Sequence, residues 1–548
     1  LDEVRALGGL TAGERAFVEA SRRRVRRQRL VRGVALAAVA AIVLAVVGVR
    51  LVAARARERA FAALAGAAAS HEAEAARLAA ASLEARRDAF RRFDGGDERG
   101  GEARWADARR LSAAASKHHA SAAAQLEAAA QLDRSAAGAR LAASLWAELE
   151  LAEAEHDDGR VAALRSRLAR VDPARAASLD RPGRIVLALD RPGRIAVHGF
   201  RCFEQGPDCV PGGGGPTIAG GFDAQPVLVR DGARLDAELP PGSYLAVLAM
   251  PDGHVVRAPF VIARGARIEA SIAVPPLADA PPGFVHVPAG EFLHGSGHEE
   301  GVRRNLAAQP LRRVHGRAFW IARTEVTFGQ WLAYLRELPP AERKERLPAG
   351  TGVGLGEGPD GRFVLSLEPA PGQTYRAAEG EPLVYPGREV RKEVRWERLP
   401  VSGVSYADAL AYAGWLDRTG QVRGARVCTA REWEHAARGA DGRSFPHGGA
   451  LEPGHANIDA TYGRVPSAFG PDEVGSFPAS DSPYGVADLA GNVWEITTTG
   501  EDRPSYKGGS FYQTAFAATS ENMGNPGDPN LGNIRVGLRI CADAARAR

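Results

Sequence analysis

The eight residues DLAGNVWE, Asp488–Glu495, place two acidic side chains at the ends of a segment that also holds a glycine, an asparagine and a tryptophan. The segment shows neither the apolar alternation of a strand nor the periodicity of a helix. Its glycine permits a sharp turn, which would bring both carboxylates close to the carbonyl groups between them. Such a loop suits either a bound cation or a structural role in which Glu495 pairs with an arginine. Both interpretations stay open at this point.

Three segments upstream predict strands that lead into capped amphipathic helices. They are FWIARTEVTFGQWLAYL (Phe319–Leu335), LPVSGVSYADALAYAGWLDR (Leu399–Arg418) and ARVCTAREWEHAARG (Ala425–Gly439). A serine or threonine is expected to begin each helix as its N-cap: Thr327, Ser405 and Thr429. In the third helix, Glu432 completes a capping box and Gly439 follows the last turn.

The ordered series of motifs resembles the formylglycine-generating enzyme family, the sulfatase-modifying-factor domains, over Pro281–Ala545. The series also includes PPGFVHVPAGEFLHGSG (Pro281–Gly297), KGGSFYQ (Lys507–Gln513) and IRVGLRICAD (Ile534–Asp543). The resemblance implies a C-type-lectin-like α+β domain, to which we assign residues 276–548. Within it, GTGVGLGEG (Gly350–Gly358) has no following lysine strand or catalytic loop of a kinase, and we interpret it as a flexible insertion.

The resemblance implies a structural calcium ion at the opening segment. In the family, side-chain oxygens come from the positions of Asp488 and Glu495, and carbonyl oxygens from those of Gly491 and Val493. Calcium prefers six to eight oxygen ligands, which agrees with two carboxylates and two carbonyl groups aimed inward.

A second and weaker calcium site is implied at Asn457 and the Ile458 carbonyl group. Pro466 stands near the position of the family's aspartate ligand, so Asp459 or Asp472 would have to substitute.

The stretch YKGGSFYQTAFAATSEN, Tyr506–Asn522, decides the expectation about catalysis. Active members of the family carry two cysteines after the Gly-Gly-Ser motif, and these bind copper and activate oxygen. The matching positions here hold Gln513 and Ala518. Thiolates are the soft ligands that select Cu(I), and an amide and a methyl group cannot replace them. We therefore expect neither copper nor the family's catalytic residues in this chain.

The groove that holds substrate in the active relatives would be rimmed here by aromatic, polar and basic side chains. These candidate binding residues are Ser510, Phe511, Tyr512, Gln513, Phe516, Asn522 and Arg535. Such groups on loops are typical of recognition, and we expect an extracellular or periplasmic peptide, glycan or small ligand. The alternative, that the three aromatic residues are simply core, stays open.

The family layout implies that Cys428 and Cys541 form a disulfide between the third helix and the last strand. Cys202 and Cys209 lie in a Gly-rich loop and would form a local disulfide in an oxidising compartment.

The N-terminal part predicts a single membrane span over residues 30–52. GVALAAVAAIVLAVVGV (Gly33–Val49) carries no charge and follows the arginine-rich SRRRVRRQR (Ser21–Arg29). The positive-inside rule places residues 1–29 in the cytoplasm and the C-terminal part outside, periplasmic or extracellular. A buried core helix is the alternative. The net charge of the chain is only +4, so we expect no nucleic-acid partner.

Two further regions connect the span to the C-terminal domain. Residues 53–178 have strong helix-forming composition, interrupted near Asp94–Gly101 and His156–Gly159, and predict a stalk of two or three long helices. Residues 179–275 contain LDRPGRI twice and LPPGSYLAVL, and they resemble the PEGA-type surface modules, which implies a small β-sandwich.

The whole layout resembles the extracytoplasmic half of bacterial serine/threonine kinases that are fused to this domain. It predicts the ligand-binding part of a sensor, with a cytoplasmic signalling domain upstream of Leu1. Two alternatives stay open: a protein-modifying oxidoreductase of the formylglycine-generating type with an atypical active site, and a diversified lectin-like binding protein.

Overall fold

A computed structural model describes Gly9 and residues 11–200, 217–500 and 503–544. The chain divides into two compact units. The first comprises Leu1–Ala80 with Leu111–Glu148, and the second comprises Ala81–Arg110 with Leu149–Arg548.

The N-terminal region is helical, as its composition predicts. Its helices are α1 (Ala12–Asp94), α2 (Glu98–Ala130), α3 (Arg134–Ala154), α4 (Asp158–Val171) and α5 (Pro173–Ala177). The predicted stalk thus holds more than the expected two or three helices, and the predicted start of the stalk at residue 53 lies inside α1. Short turns at Gln131–Asp133 and Asp172, which carry no glycine, separate the additional helices.

The next region forms one hydrogen-bonded sheet. Its strands are β1 (Gly183–Gly199), β4 (Leu228–Leu239), β5 (Gly242–Ala249), β6 (Val255–Ile262) and β7 (Arg267–Ile272), and a separate short pair is β2 (Thr217–Ile218) with β3 (Phe222–Asp223). The first half of β1 lies between β4 and β7, and its second half lies between β4 and β5. Strands are therefore present where the alternation predicts them, and the five longer strands among the described residues of this region share one sheet. The predicted β-sandwich is not confirmed. The likeness to PEGA-type modules stays a prediction.

The C-terminal domain mixes short strands and helices in an α+β arrangement. Its first half contains β8 (Phe284–Val287), β9 (Gly290–His294), α6 (Glu300–Asn305), β10 (Arg312–Gly316), β11 (Phe319–Ala322), α7 (Phe328–Glu337), α8 (Pro340–Glu345), β12 (Ala349–Gly350), β13 (Val353–Glu357), β14 (Phe363–Ala370), β15 (Gln373–Ala378), β16 (Pro382–Val384) and β17 (Glu393–Arg395). Its second half contains α9 (Tyr406–Arg418), β18 (Ala425–Val427), α10 (Ala430–Arg438), β19 (Trp494–Thr499), β20 (Arg503–Lys507), β21 (Val536–Leu538) and β22 (Ile540–Asp543).

Capping residues begin the three predicted helices. Thr327, Ser405 and Thr429 each accept a hydrogen bond from the backbone N–H three residues later, and a full capping box is present in every case. Gly439 follows α10 with φ of 70°, a left-handed conformation that favours glycine. The three predicted N-caps are confirmed.

The segment Gly350–Gly358 is not a flexible insertion. It supplies β12 and β13 of a four-stranded sheet, β12-β13-β14-β15. Val353 and Leu355 alternate with glycines and bury their side chains in the main hydrophobic core. The interpretation was wrong because the many glycines hid a period-two apolar pattern.

Two small sheets position the candidate site. One has the order β18-β22-β11-β8, and the other has the order β20-β19-β21. The segment Asp488–Glu495 enters the second sheet, since Trp494 and Glu495 are the first residues of β19.

Candidate functional site

The loop that precedes β19 bends through left-handed backbone conformations. The φ angles of Asp488, Gly491 and Asn492 are 59°, 79° and 61°. A Cβ atom at Gly491 would lie 2.3 Å from the backbone oxygen of Asn457, so only glycine fits there. The sharp turn predicted from the glycine is present, and the whole loop is buried.

The carboxylate of Glu495 is held by an arginine and a tryptophan. Arg539 donates from Nε to Oε2 at 2.8 Å and from Nη2 to Oε1 at 2.5 Å. The indole N–H of Trp433 donates to Oε2 at 2.6 Å. Glu495 and Arg539 are both fully buried, so this is a bidentate ion pair in a medium of low dielectric constant.

Asp488 is paired with a second buried acid, Glu325. Burial, reinforced by the neighbouring Asp488, raises the pKa of Glu325 well above its ordinary value. Burial likewise raises the pKa of Asp488 to about 6, although the N–H of Gly475 donates to its Oδ2 at 2.5 Å. Two adjacent buried carboxyl groups cannot both ionise cheaply, so one proton is retained between them.

These contacts do not fit the calcium ligand set that the resemblance implies. Both oxygens of Glu495 already accept charge-assisted hydrogen bonds, and a cation beside them would face the positive charge of Arg539. Calcium at Asp488, Gly491, Val493 and Glu495 stays a prediction, and the geometry at Glu495 argues against it. Sequence reasoning did not single out Glu325, which lies in ARTEV just before the N-cap Thr327, or Arg539 in VGLRI.

A second buried arginine occupies the region of the weaker calcium site. Arg388 donates to the carboxylate of Asp472 at 2.7 Å and to the carbonyl oxygens of Ala468 and Gly470 at 2.7 Å and 2.6 Å. Its guanidinium carbon also lies 3.8 Å from the ring centroid of Tyr385 and 4.1 Å from that of Tyr462. The oxygens around it are therefore already neutralised by a protein cation.

The two residues predicted as ligands of that weaker site have other partners. Asn457 donates from Nδ2 to the carbonyl oxygen of Gly470 at 2.9 Å, and the Ile458 carbonyl accepts from the N–H of Thr461 at 3.1 Å. The geometry here also does not favour a metal ion.

The predicted binding residues fall into two groups. Ser510 and Phe511 are buried, and Phe511 belongs to the main hydrophobic core. The hydroxyl of Ser510 donates to Oε1 of Gln513 at 2.8 Å. Asn522 is also largely buried and donates from Nδ2 to the Ala517 carbonyl at 2.6 Å. The core alternative therefore holds for Phe511.

The second group reaches the surface. The guanidinium carbon of Arg535 lies 3.5 Å from the ring centroid of Tyr512, which packs against Phe469 with ring centroids 5.2 Å apart. Phe516 is 49% exposed. Tyr512 and Arg535 therefore give this part of the domain an aromatic and cationic surface, and Phe516 is a further exposed aromatic side chain.

A cavity of about 730 Å³ lies elsewhere in the second unit. A buried charged cluster forms part of its wall, in which Glu434 accepts from Lys507 at 3.2 Å and from Arg438 at 3.0 Å. Burial raises the pKa of Glu434, but the neighbouring positive groups outweigh it and hold that pKa well below its ordinary value. Nothing in the sequence singled out this cavity, because its walls come from segments far apart in the chain.

Comparisons with known proteins agree with the resemblance. A family model described as the sulfatase-modifying factor enzyme 1-like domain matches residues 272–544. A mouse protein named inactive C-alpha-formylglycine-generating enzyme 2 is 30% identical over 293 residues, which cover 49% of this chain and 88% of that protein. The chain belongs to the sulfatase-modifying factor family.

One further relative and one solved structure match over similar lengths. The formylglycine-generating enzyme of Streptomyces coelicolor is 28% identical over 279 residues, which cover 48% of this chain and 80% of that enzyme. The solved structure of PvdO from Pseudomonas aeruginosa is 24% identical, with a TM-score of 0.35, and the match covers 48% of this chain and 94% of that one.

Gln513 and Ala518, which the resemblance matches to the copper-binding cysteines of active relatives, have a different chemistry. The side-chain amide oxygen of Gln513 accepts from the hydroxyl of Ser510, and the backbone carbonyl of Gln513 accepts from the N–H of Asp459. Ala518 presents a methyl group buried in a small apolar cluster with Phe445 and Ala456. Neither side chain is a ligand for Cu(I), so the site does not fit copper.

Cys428 and Cys541 are bonded in the structure, with their Cα atoms 4.9 Å apart. Cys428 directly precedes the N-cap of α10, and Cys541 lies in β22, so the bond ties the capped helix to the sheet β18-β22-β11-β8. The predicted pair Cys202 and Cys209 lies outside the described residues.

Proposed function

We propose that this protein is a membrane-anchored, extracytoplasmic ligand-binding protein whose sulfatase-modifying factor domain does not form formylglycine. The observation that carries the proposal is the identity of Gln513 and Ala518 at the positions of the copper-binding cysteines. Formation of formylglycine in the family depends on thiolates there. An amide and a buried methyl group supply no soft donor, so oxygen activation of that kind has no site.

The names of two relatives support this interpretation. The mouse relative that is 30% identical to this chain is named as inactive, and a bovine relative with the same name is 33% identical over 180 residues. The family therefore contains members that are named as inactive formylglycine-generating enzymes.

Helix α1 supports the proposed membrane anchor. It contains an 18-residue window with a mean hydropathy of 2.6, none of it buried. Leucine, isoleucine and valine side chains along this window are exposed, which is costly in water and favourable in a lipid bilayer. The arginine-rich segment before the window favours a cytoplasmic N-terminus. The Cys428–Cys541 bond is of the kind that persists in oxidising compartments, which supports an exterior location of the C-terminal domain.

A signalling role follows from the layout and belongs to the same proposal. The proposed layout resembles the extracytoplasmic half of kinase fusions. Its order is a basic segment, a membrane span, a helical region, a PEGA-like sheet and the sulfatase-modifying factor domain. In that role the C-terminal domain binds a ligand outside, and a cytoplasmic signalling domain responds.

The absence of formylglycine formation can be tested directly. The full chain in detergent, supplied with Cu(I) and oxygen, is incubated with a Cys-x-Pro-x-Arg peptide, and the product is measured by mass spectrometry. The formylglycine-generating enzyme of Streptomyces coelicolor is the positive control. We expect no formylglycine above a metal-only control. Turnover above that control would replace the binding function with an enzyme whose active site lies elsewhere.

A further inference from the structure

The cavity of about 730 Å³ is lined by two parts of the second unit. One part is the hairpin tip, which we define as residues 81–110, the end of α1 with the start of α2. The other part is the C-terminal domain. Phe93 of the hairpin tip and Met523, with Ala307 and Ala308, give the cavity an apolar portion. This volume is typical of small-molecule sites, which range from about 300 to 1,000 Å³.

Ion pairs fix the hairpin tip against the domain. Asp94 accepts from Arg312 at 2.6 Å and from Arg431 at 2.7 Å. Glu102 accepts from Arg303 at 2.6 Å. Burial raises the pKa of Asp94, but the hydrogen bonds from both arginines outweigh burial and lower it to about 2. The wall that the hairpin tip supplies is therefore held in place at neutral pH.

Most charges in the cavity wall already have partners. Arg431 is tied to Asp94, and Lys507 is tied to Glu434. Glu434 also accepts from the N–H of Gly295 at 2.7 Å. Of the three lysine and arginine side chains in the wall, Arg431 and Lys507 are thus neutralised by carboxylates. The third, Arg503, is exposed and donates from Nε to the Gly500 carbonyl at 3.3 Å.

Two buried acceptor atoms in the wall have no hydrogen-bond donor among the described residues: Oε2 of Glu521 and Oε1 of Gln309. The Glu521 side chain is only 2% exposed, and its other oxygen lies 3.2 Å from Nε2 of His298. A buried carboxylate oxygen without a donor is costly, so the site is suited to a ligand that brings one. Both oxygens accept hydrogen bonds, so they favour a ligand that carries a donor group. The negative charge of Glu521 also favours a positively charged donor.

We propose that this cavity binds a small organic cation, a primary ammonium attached to an apolar body. The ammonium donates to Glu521, and the apolar body packs against the apolar portion of the wall that contains Phe93 and Met523. This proposal rests on the proposed binding function and names the chemical class of its ligand. The site differs from the surface at Tyr512, Phe516 and Arg535 that the sequence predicted.

Phenethylamine and 2-phenylethanol form a matched pair of probes, since they share one shape and differ in charge. Binding to the full chain in nanodiscs is measured by isothermal titration calorimetry. We expect phenethylamine to bind at one site, and 2-phenylethanol to bind at least tenfold more weakly, because a hydrogen bond to a charged partner is stronger than a neutral one. No binding of phenethylamine, or equal binding of both compounds, would overturn the proposal.

Three variants locate the site. Glu521→Gln keeps the shape and removes the charge, and we expect at least a tenfold loss of phenethylamine affinity. Thr499→Trp places a large side chain at a residue that lines this cavity, and binding should be abolished. Glu452→Gln changes an exposed acid of the same domain and should leave the affinity unchanged. Unchanged affinity in a folded Glu521→Gln or Thr499→Trp protein, verified by its near-ultraviolet circular dichroism, would overturn the assignment.

The peptide oxidation assay, repeated on the nanodisc preparation, separates the two proposals. Failed phenethylamine binding without formylglycine formation overturns the cavity assignment alone. Formylglycine formation overturns the proposed function itself.

Discussion

At the scale of single residues, two buried arginines pair with acids that the resemblance suggests as calcium ligands, and the calcium sites themselves stay predictions. Arg539 neutralises Glu495, and Arg388 neutralises Asp472. A guanidinium offers several donors in a fixed plane, so it can satisfy carboxylate and carbonyl oxygens that a metal ion would otherwise gather. The convergence of oxygens at these loops could be predicted from the sequence. The arginines that pair with these oxygens could not be predicted, because each is distant in sequence from its acidic partner.

The ion pair predicts a response to substitution and to chelation. Glu495→Gln should destabilise the domain by about 3–5 kcal/mol, since it removes the bidentate charge partner of the buried Arg539 and leaves only Glu325, 3.7 Å away. EDTA or added calcium should leave the thermal melting temperature of the wild-type protein unchanged, as measured by differential scanning calorimetry. Glu291→Gln, a change at an exposed acid, serves as the control. A lower melting temperature in EDTA, restored by calcium, would instead establish the calcium site.

The carboxyl pair of Glu325 and Asp488 predicts a pH dependence of stability. The pKa of Asp488 is raised to about 6 in the folded state, above its ordinary value of 3.8. A raised pKa means that the stabilising contribution is fully present below the unfolded value and is lost as the pH rises through about 6. Asp488→Asn removes this titration and keeps a residue that tolerates a positive φ.

We therefore expect the free energy of unfolding of the wild-type protein to fall relative to that of Asp488→Asn between pH 4.5 and pH 7. The change should be on the order of 2–3 kcal/mol. Urea titrations of both proteins at the two pH values measure it. Parallel pH profiles would show that Asp488 does not retain a proton in the folded state.

At the scale of elements, local rules predicted the capped helices. Each N-cap needs only a threonine or serine and the residue three positions later, so α7, α9 and α10 could be placed from sequence. The sheet of β12 to β15 could not be placed from sequence. Its first two strands are rich in glycine and show no clear apolar pattern, and their burial depends on the core of the whole domain. The same dependence explains why Phe511 is core and Phe516 is exposed, although they are five positions apart.

The cap of α10 offers a direct test of the local rules. Thr429→Ala should cost about 1 kcal/mol of stability, because the N–H of Glu432 loses its acceptor. Thr514 occupies the same position before a short 3₁₀ turn, but its side chain makes no capping hydrogen bond. Thr514→Ala should therefore change the free energy of unfolding by a few tenths of a kcal/mol at most. Equal losses in the two variants, measured by urea denaturation, would remove the cap as the cause.

At the scale of the whole molecule, the motifs of the C-terminal half were sufficient to predict the family. They were not sufficient to predict that the hairpin tip lines a cavity in the same unit, since pairs such as Asp94 with Arg312 are more than 200 residues apart and leave no sequence pattern. The cavity at Glu521 depends on those pairs. A structure was therefore needed to move the proposed ligand site from the predicted groove to this cavity.

The central claim is that the sulfatase-modifying factor domain is the exterior, ligand-binding part of a membrane protein, and its topology tests this most directly. Alkaline phosphatase, which is active only outside the cytoplasm, is fused after Ala544, and β-galactosidase, which is active only inside, is fused at the same place in a parallel protein. Deletion of residues 33–49 provides the control, because it removes the proposed span. We predict phosphatase activity from the full chain and galactosidase activity only after the deletion. Galactosidase activity from the undeleted fusion would place the domain in the cytoplasm and contradict the account.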